Sequence, residues 1–139
     1  MYKTLPFFAV ILTGCPTVDP VDTDIVYDLE IAGEYVDGFG GAHSITDDDW
    51  IMDGVGIFAI TQFDNDANML IAQNDSTNSF NPDLWSRMDW FDDGTDLWFC
   101  QIAFDAATEA DALATPAADS TDPANSGCGG FGWSSLTPQ

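Results

Sequence analysis

From residue 29 onward, apolar and polar positions alternate with a period of two in short runs, separated by clusters of Gly, Asp, Asn and Pro. That is the pattern of strands with one buried face. Leu29–Val36 (LEIAGEYV) sets Leu29, Ile31, Gly33 and Tyr35 on one face. Ala42–Thr46 and Trp50–Asp53 flank an Asp47-Asp48-Asp49 turn. Gly56–Phe63 (GIFAITQF) puts Ile57, Ala59, Thr61 and Phe63 on one face and Phe58 and Ile60 on the other. After a turn at Asp64–Ala67, Asn68–Gln73 returns as its partner, and Asn74–Pro82 is a polar loop.

The aromatic-rich stretch Leu84–Phe104 (LWSRMDWFDDGTDLWFCQIAF) holds three of the five tryptophans. Aromatic runs on both sides of an Asp-Gly pair predict a β-hairpin. A three-residue loop places Met88, Trp98 and Cys100 on one face, with Arg87, Asp89, Leu97 and Phe99 on the other. A two-residue Asp93-Gly94 loop mixes those sets. Both faces carry aromatics, so other strands or the closing segment must cover at least one of them. Asp105–Ala114 reads as a short helix capped by Asp105 or Thr108 and stopped by Pro116. Gly129–Leu136 reads as a glycine-loosened last strand.

Charge changes the picture. There are 24 acidic residues, nearly all Asp, against two cations, Lys3 and Arg87, for a formal net charge of −22. Such a surface repels phosphate backbones and excludes nucleic acid as a partner. It also excludes peripheral binding to anionic lipid through the domain's own face. Arg87, alone in this field, is expected to be held by a neighbouring Asp with its plane against a tryptophan.

Residues 1–15 read MYKTLPFFAVILTGC: one Lys, then an apolar run too short to span a bilayer. Leu12-Thr13-Gly14-Cys15 resembles the lipobox of bacterial lipoproteins. The resemblance implies a signal peptide over residues 1–14 and acylation of Cys15. With Pro16 rather than Asp after that Cys, it also implies sorting to the outer membrane. Residues 15–28, with their prolines and aspartates, read as an acidic tether, and 29–139 as one β domain. Gly33-x-Tyr35 is similar to the Gly-x-Trp opening of lipocalin-like barrels. The fold expected is therefore all-β: a small antiparallel barrel or sandwich of seven or eight strands, with one short helix and one disulfide. With Cys15 acylated, Cys100 and Cys128 form that disulfide in an oxidising compartment.

No catalytic constellation assembles in the sequence. His43 is the only histidine, and neighbouring Ser44 points to the opposite face of a strand, so a local Ser-His-Asp relay is excluded; His43 reads as a strand-edge polar residue. Asp64-Asn65-Asp66-Ala67-Asn68 alternates oxygen ligands like an EF-hand loop, but Met69 stands where that loop needs Gly. A looser Ca2+ site at Asp47 and Asp49, or at Asp64 and Asp66, remains a candidate, and no other cofactor is expected. The tryptophans read as core, with Trp85, Trp90 and Trp98 as ligand-binding candidates should a barrel mouth expose them. The functional expectation is a membrane-anchored, non-enzymatic binding or surface-interaction module. A calcium-stabilised surface protein and a carboxylate-dependent polysaccharide hydrolase are the alternatives.

Overall fold

A computed structural model describes Gly14 and residues 27–139; the leader, Cys15 and most of the acidic tether lie outside the described residues. Eight antiparallel strands follow one another around a closed barrel. They are β1 (Gly33–Asp37), β2 (Ala42–Ile45), β3 (Asp49–Met52), β4 (Gly56–Asp64), β5 (Met69–Asn74), β6 (Trp85–Asp92), β7 (Leu97–Ala106) and β8 (Ser134–Pro138), with one helix, α1 (Glu109–Ala114), between β7 and β8. β8 closes on β1 through the Tyr35–Pro138, Val36–Thr137 and Asp37–Leu136 pairs. Closure removes the sheet edges that an open meander would expose.

The up-and-down path gives the barrel two unlike ends. The N-terminal end holds residues 27–32, the turns after β2, β4 and β6, and the C-terminus. The distal end holds the turns after β1 and β3, the long loop 75–84, and the segment between β7 and β8. Leu29 and Ile31, expected to begin a strand, instead form a turn, with Ala32 N–H donating to Leu29 O at 3.0 Å. Their side chains are buried in the core with Trp50, Leu70, Met88 and Trp90, so they plug the N-terminal end. β1 therefore starts only at Gly33.

Asp47 fastens this plug. Its carboxylate accepts the backbone N–H groups of Asp28 at 3.1 Å and Leu29 at 2.9 Å. Hydrogen bonds to a charged acceptor contribute about 1.5 kcal/mol or more each. Asp47→Ala should lower stability by roughly 1.5–2 kcal/mol in urea titration and speed hydrogen exchange at the Leu29 amide. Unchanged exchange there would show that the plug holds without the clasp.

Register departs from simple alternation at several places, including two shifts of β6 against β7 between Trp85 and Met88. A bulge between Ile60 and Gln62 inserts Thr61 as an extra residue, which rotates Phe63 onto the interior face with Phe58 and Ile60. The outward Thr61 and Gln62 side chains then both donate to Glu109 of α1, at 2.7 and 2.8 Å. In the central hairpin, Asp92 pairs with Leu97, leaving a four-residue loop. An even loop length shares the parity of the two-residue alternative. Met88, Trp90, Leu97 and Phe99 consequently line the core, while Arg87, Asp89, Trp98 and Cys100 face outward. The face set expected from a three-residue loop is corrected accordingly.

α1 is capped by Thr108, whose side chain accepts from Asp111 N–H; Asp105 stays in β7. Ala112 packs on the outward Met69 and Ile71, with Trp85 beside them, which explains why β5 is apolar on both faces. From α1 the chain crosses the outside of the hairpin as a flap, residues 115–133, pinned by the Cys100–Cys128 disulfide with Cα atoms 5.7 Å apart. Gly127 (φ +97°) is required there: a Cβ would come within 1.7 Å of the Asp119 carbonyl oxygen.

Candidate functional site: the distal end of the barrel

Inside the distal end sits a buried polar group that strand alternation hid. His43 is 3% exposed, not a strand-edge residue. It pairs with Tyr35 and Met52 on its two neighbours and so faces the core. Trp50 Nε1–H can only donate, and it does so to His43 Nδ1 at 3.0 Å. The ring proton therefore lies on Nε2, which donates to Asp37 Oδ2 at 2.9 Å. Phe99 meets the imidazole edge-on with centroids 5.2 Å apart. Both ring nitrogens are committed, which leaves no lone pair for a general base.

Asp37 is itself over-determined. Partial burial alone pushes its carboxyl up. Hydrogen bonds from His43 and from the Gly41 and Phe39 amides outweigh that and hold it below the ordinary carboxylate range. A depressed carboxyl contributes stability that is complete above its unfolded value of about 3.8 and is lost as pH falls through the lower folded value. Asp37→Asn should therefore be less stable at pH 7 and show a shallower loss of urea stability below about pH 4. Equal slopes in the two proteins would remove Asp37 from the acid response.

Beside a shallow groove of about 340 Å3 between the β3–β4 turn and Thr77–Ser79, two cavities open at this end. One, of about 270 Å3, lies over His43 and Asp37 and is walled by Met52, Phe99, Gln101 and Gly132. The other, of about 260 Å3, lies among Phe58, Asn78, Phe80, Asn81 and Phe104. They share Val55 and Gln101, so the β3–β4 turn divides a single mouth. Below it, Asn74, Ser86 and Gln101 form a closed amide–hydroxyl chain, with Ser86 Oγ donating to Asn74 Oδ1 at 2.6 Å and accepting from Gln101 Nε2 at 3.0 Å. This floor is fully satisfied and rigid.

The rim is apolar. Phe39 is 90% exposed, Phe80 78%, Phe131 76% and Val55 54%, each on a different distal connection. Among the described residues of the N-terminal end no large hydrophobic side chain is that exposed; Tyr27 reaches 40%. The single apolar residue in the polar run NDSTNSFNP, Phe80, was the one signal of this rim in the sequence. Gln101, Phe104 and Val55 carried none, because their convergence depends on the closed barrel.

The residues proposed from sequence do not converge. Trp85 packs outside the barrel beside α1. Trp98 lies on the outer face and donates to Asp93 at 3.1 Å. Trp90 is buried at the N-terminal end, donating to Glu30 at 2.7 Å, beneath an open groove of about 580 Å3. None of the three lines the distal mouth. Asp64 accepts from the amides of Asp66 and Ala67, and Asp47 is occupied by the plug, so these carboxylates cap backbone. Among the described residues no group of three or more His, Cys, Asp or Glu side chains is placed to hold a metal ion. Arg87 is buried: Nε donates to Asp89 at 2.8 Å, and Nη1 donates to the Leu113 and Thr115 carbonyls at the end of α1. Its partners are a carboxylate and helix carbonyls rather than a tryptophan face.

Comparison with protein-family models, with curated proteins and with solved structures finds no match for this chain.

Proposed function

We propose that this chain is an exported lipoprotein, acylated at Cys15 and held at the outer membrane, whose barrel acts as a non-enzymatic binding module. Its working surface is the distal mouth. One observation carries the reading: the chain enters at one end, whereas the exposed aromatic rim and both mouth cavities stand at the other. A tether at the N-terminal end would turn that rim away from the membrane. The commitment of both His43 nitrogens to Asp37 and Trp50 supports a binding role over catalysis by His43. Apolar groups held open by a rigid polar floor suit the capture of another molecule.

Two measurements test this. Radiolabelled fatty acid should enter the wild-type protein in bacterial cells and not Cys15→Ser, which should be released as soluble protein. The neutral dye Nile red should bind the purified full-length chain and lose most of its fluorescence gain with the Phe80→Ser/Phe104→Ser variant. Equal labelling of Cys15→Ser would end the anchor assignment. Dye binding that is indifferent to the two phenylalanines would end the assignment of the mouth.

A further inference from the structure

The barrel wall is uneven where it closes. β7 has ten residues and β8 five, and β8 pairs only with Leu97, Trp98 and Phe99. Beyond Cys100, β7 continues to Ala106 with β6 on one side and no strand on the other among the described residues. Among those residues, no backbone–backbone hydrogen bond links Gln101–Ala106 to any loop either; the Phe104 carbonyl is taken by the Asn74 side chain at 2.9 Å. The flap reaches the wall at Thr115 and Ala118, against Arg87 and Asp89 of β6, and around Cys128 and Gly132, and leaves Phe104 and Asp105 exposed. Besides short overhangs where other neighbouring strands differ in length, the closed barrel thus keeps an open strand edge at Gln101–Ala106, broken by register shifts against β6 on either side of Ala103, and that edge borders the mouth.

Resting on the binding-module reading above, we infer that the ligand of this mouth is an extended peptide segment that adds as a strand to the free edge of β7, with basic and apolar residues in alternation. The backbone edge selects an extended chain, since only a strand can satisfy a row of amide groups. The flanking surfaces select the side chains. A strand along Gln101–Ala106 would present one face to the exposed apolar Val55 and Phe104 at the mouth and the other to solvent beside Asp105. The chain's net charge is −22, and its only described cation, Arg87, is buried against Asp89. A second copy of this chain would meet like charge across that edge, whereas a Lys- or Arg-bearing segment is drawn to it.

The test uses the full-length chain, expressed with its leader and purified in neutral detergent. Probes are the blocked octapeptide (Val-Lys)4, its (Val-Glu)4 counterpart, and two (Val-Lys)4 peptides N-methylated on every Val or on every Lys. Alternate amides of a strand face its partner, so one of the two methylated peptides should bind at least tenfold more weakly than the parent. The parent should slow hydrogen exchange within Gln101–Ala106, and (Val-Glu)4 should not bind. Equal affinity of the parent and both methylated peptides, unchanged exchange at Gln101–Ala106, binding of (Val-Glu)4 as tight as that of (Val-Lys)4, or no binding of the parent would each overturn the inference. The Nile red result is independent of strand pairing, so the inference can fail while the mouth stands as a binding surface.

Discussion

Arg87→Met should lower the melting temperature by roughly 12–20 °C, corresponding to about 3 kcal/mol or more in a domain of this size. The cause is the carboxylate left behind. Asp89 is 4% exposed and its Oδ1 would lose the guanidinium that lies 2.8 Å away. The Leu113 and Thr115 carbonyls at the end of α1 would lose their donor in the same step. Asp89 Oδ2 also accepts the Ala118 amide at 2.8 Å, so the pair ties β6, α1 and the start of the flap together. Removing both charges tells the origin of the effect: Arg87→Met/Asp89→Leu should recover a large part of the loss, because no ion is then buried alone. A single-variant drop under about 4 °C in calorimetry, roughly 1 kcal/mol, would show that water reaches Asp89 and that the pair is not structurally required.

Opening the disulfide should have a comparable effect by another route. The Cys100–Cys128 bridge spans a separation of 28 residues, for which the chain-entropy model assigns about 3.5 kcal/mol. The flap it pins contributes little to the main core, whose members come almost wholly from the strands and the N-terminal plug. The double variant Cys100→Ala/Cys128→Ala should thus keep its barrel, shown by unchanged far-ultraviolet circular dichroism, while its urea midpoint falls. Limited proteolysis should cut it between residues 115 and 127 much faster than the wild type. Resistance equal to wild type would mean that the Asp119–Gly127 backbone bond and the Trp133 indole, which donates to Asp119 O at 2.9 Å, hold the flap without the bridge.

The abundance of Asp over Glu has a local explanation that the turns supply. Asp64, Asp75, Asp92, Asp93 and Asp119 each accept an amide two residues ahead. A short carboxylate makes that ring; the longer Glu side chain does not fit it. Asp75, Asp93 and Asp119 are held below the ordinary carboxylate value, Asp75 and Asp119 chiefly by the Thr77 and Thr121 hydroxyls and Asp93 chiefly by the Asp96 amide, with the amides two residues ahead adding to it. Of the Asp residues that resembled cation ligands in the sequence, Asp64 caps a turn and Asp47 is a clasp on the plug.

What the chain determined by itself was local. Period-two runs marked β2 to β6 to within a residue or so, the Asp-Gly pair marked the central hairpin, and the cysteine count marked the Cys100–Cys128 bridge that the fold contains. These signals survive because strand alternation, turn chemistry and thiol pairing depend on neighbours or on simple counting. The tertiary structure decided everything that turns on parity or closure. A single inserted residue at Thr61 and an even loop after Asp92 reversed which side chains face inward, and no local preference separates those registers. Leu29 and Ile31 were apolar enough for a strand, yet they became a plug because the barrel end needed filling. Closure also carried His43 from a nominal strand edge to a buried seat between Asp37 and Trp50, and gathered Val55, Gln101 and Phe104 from distant positions around one mouth.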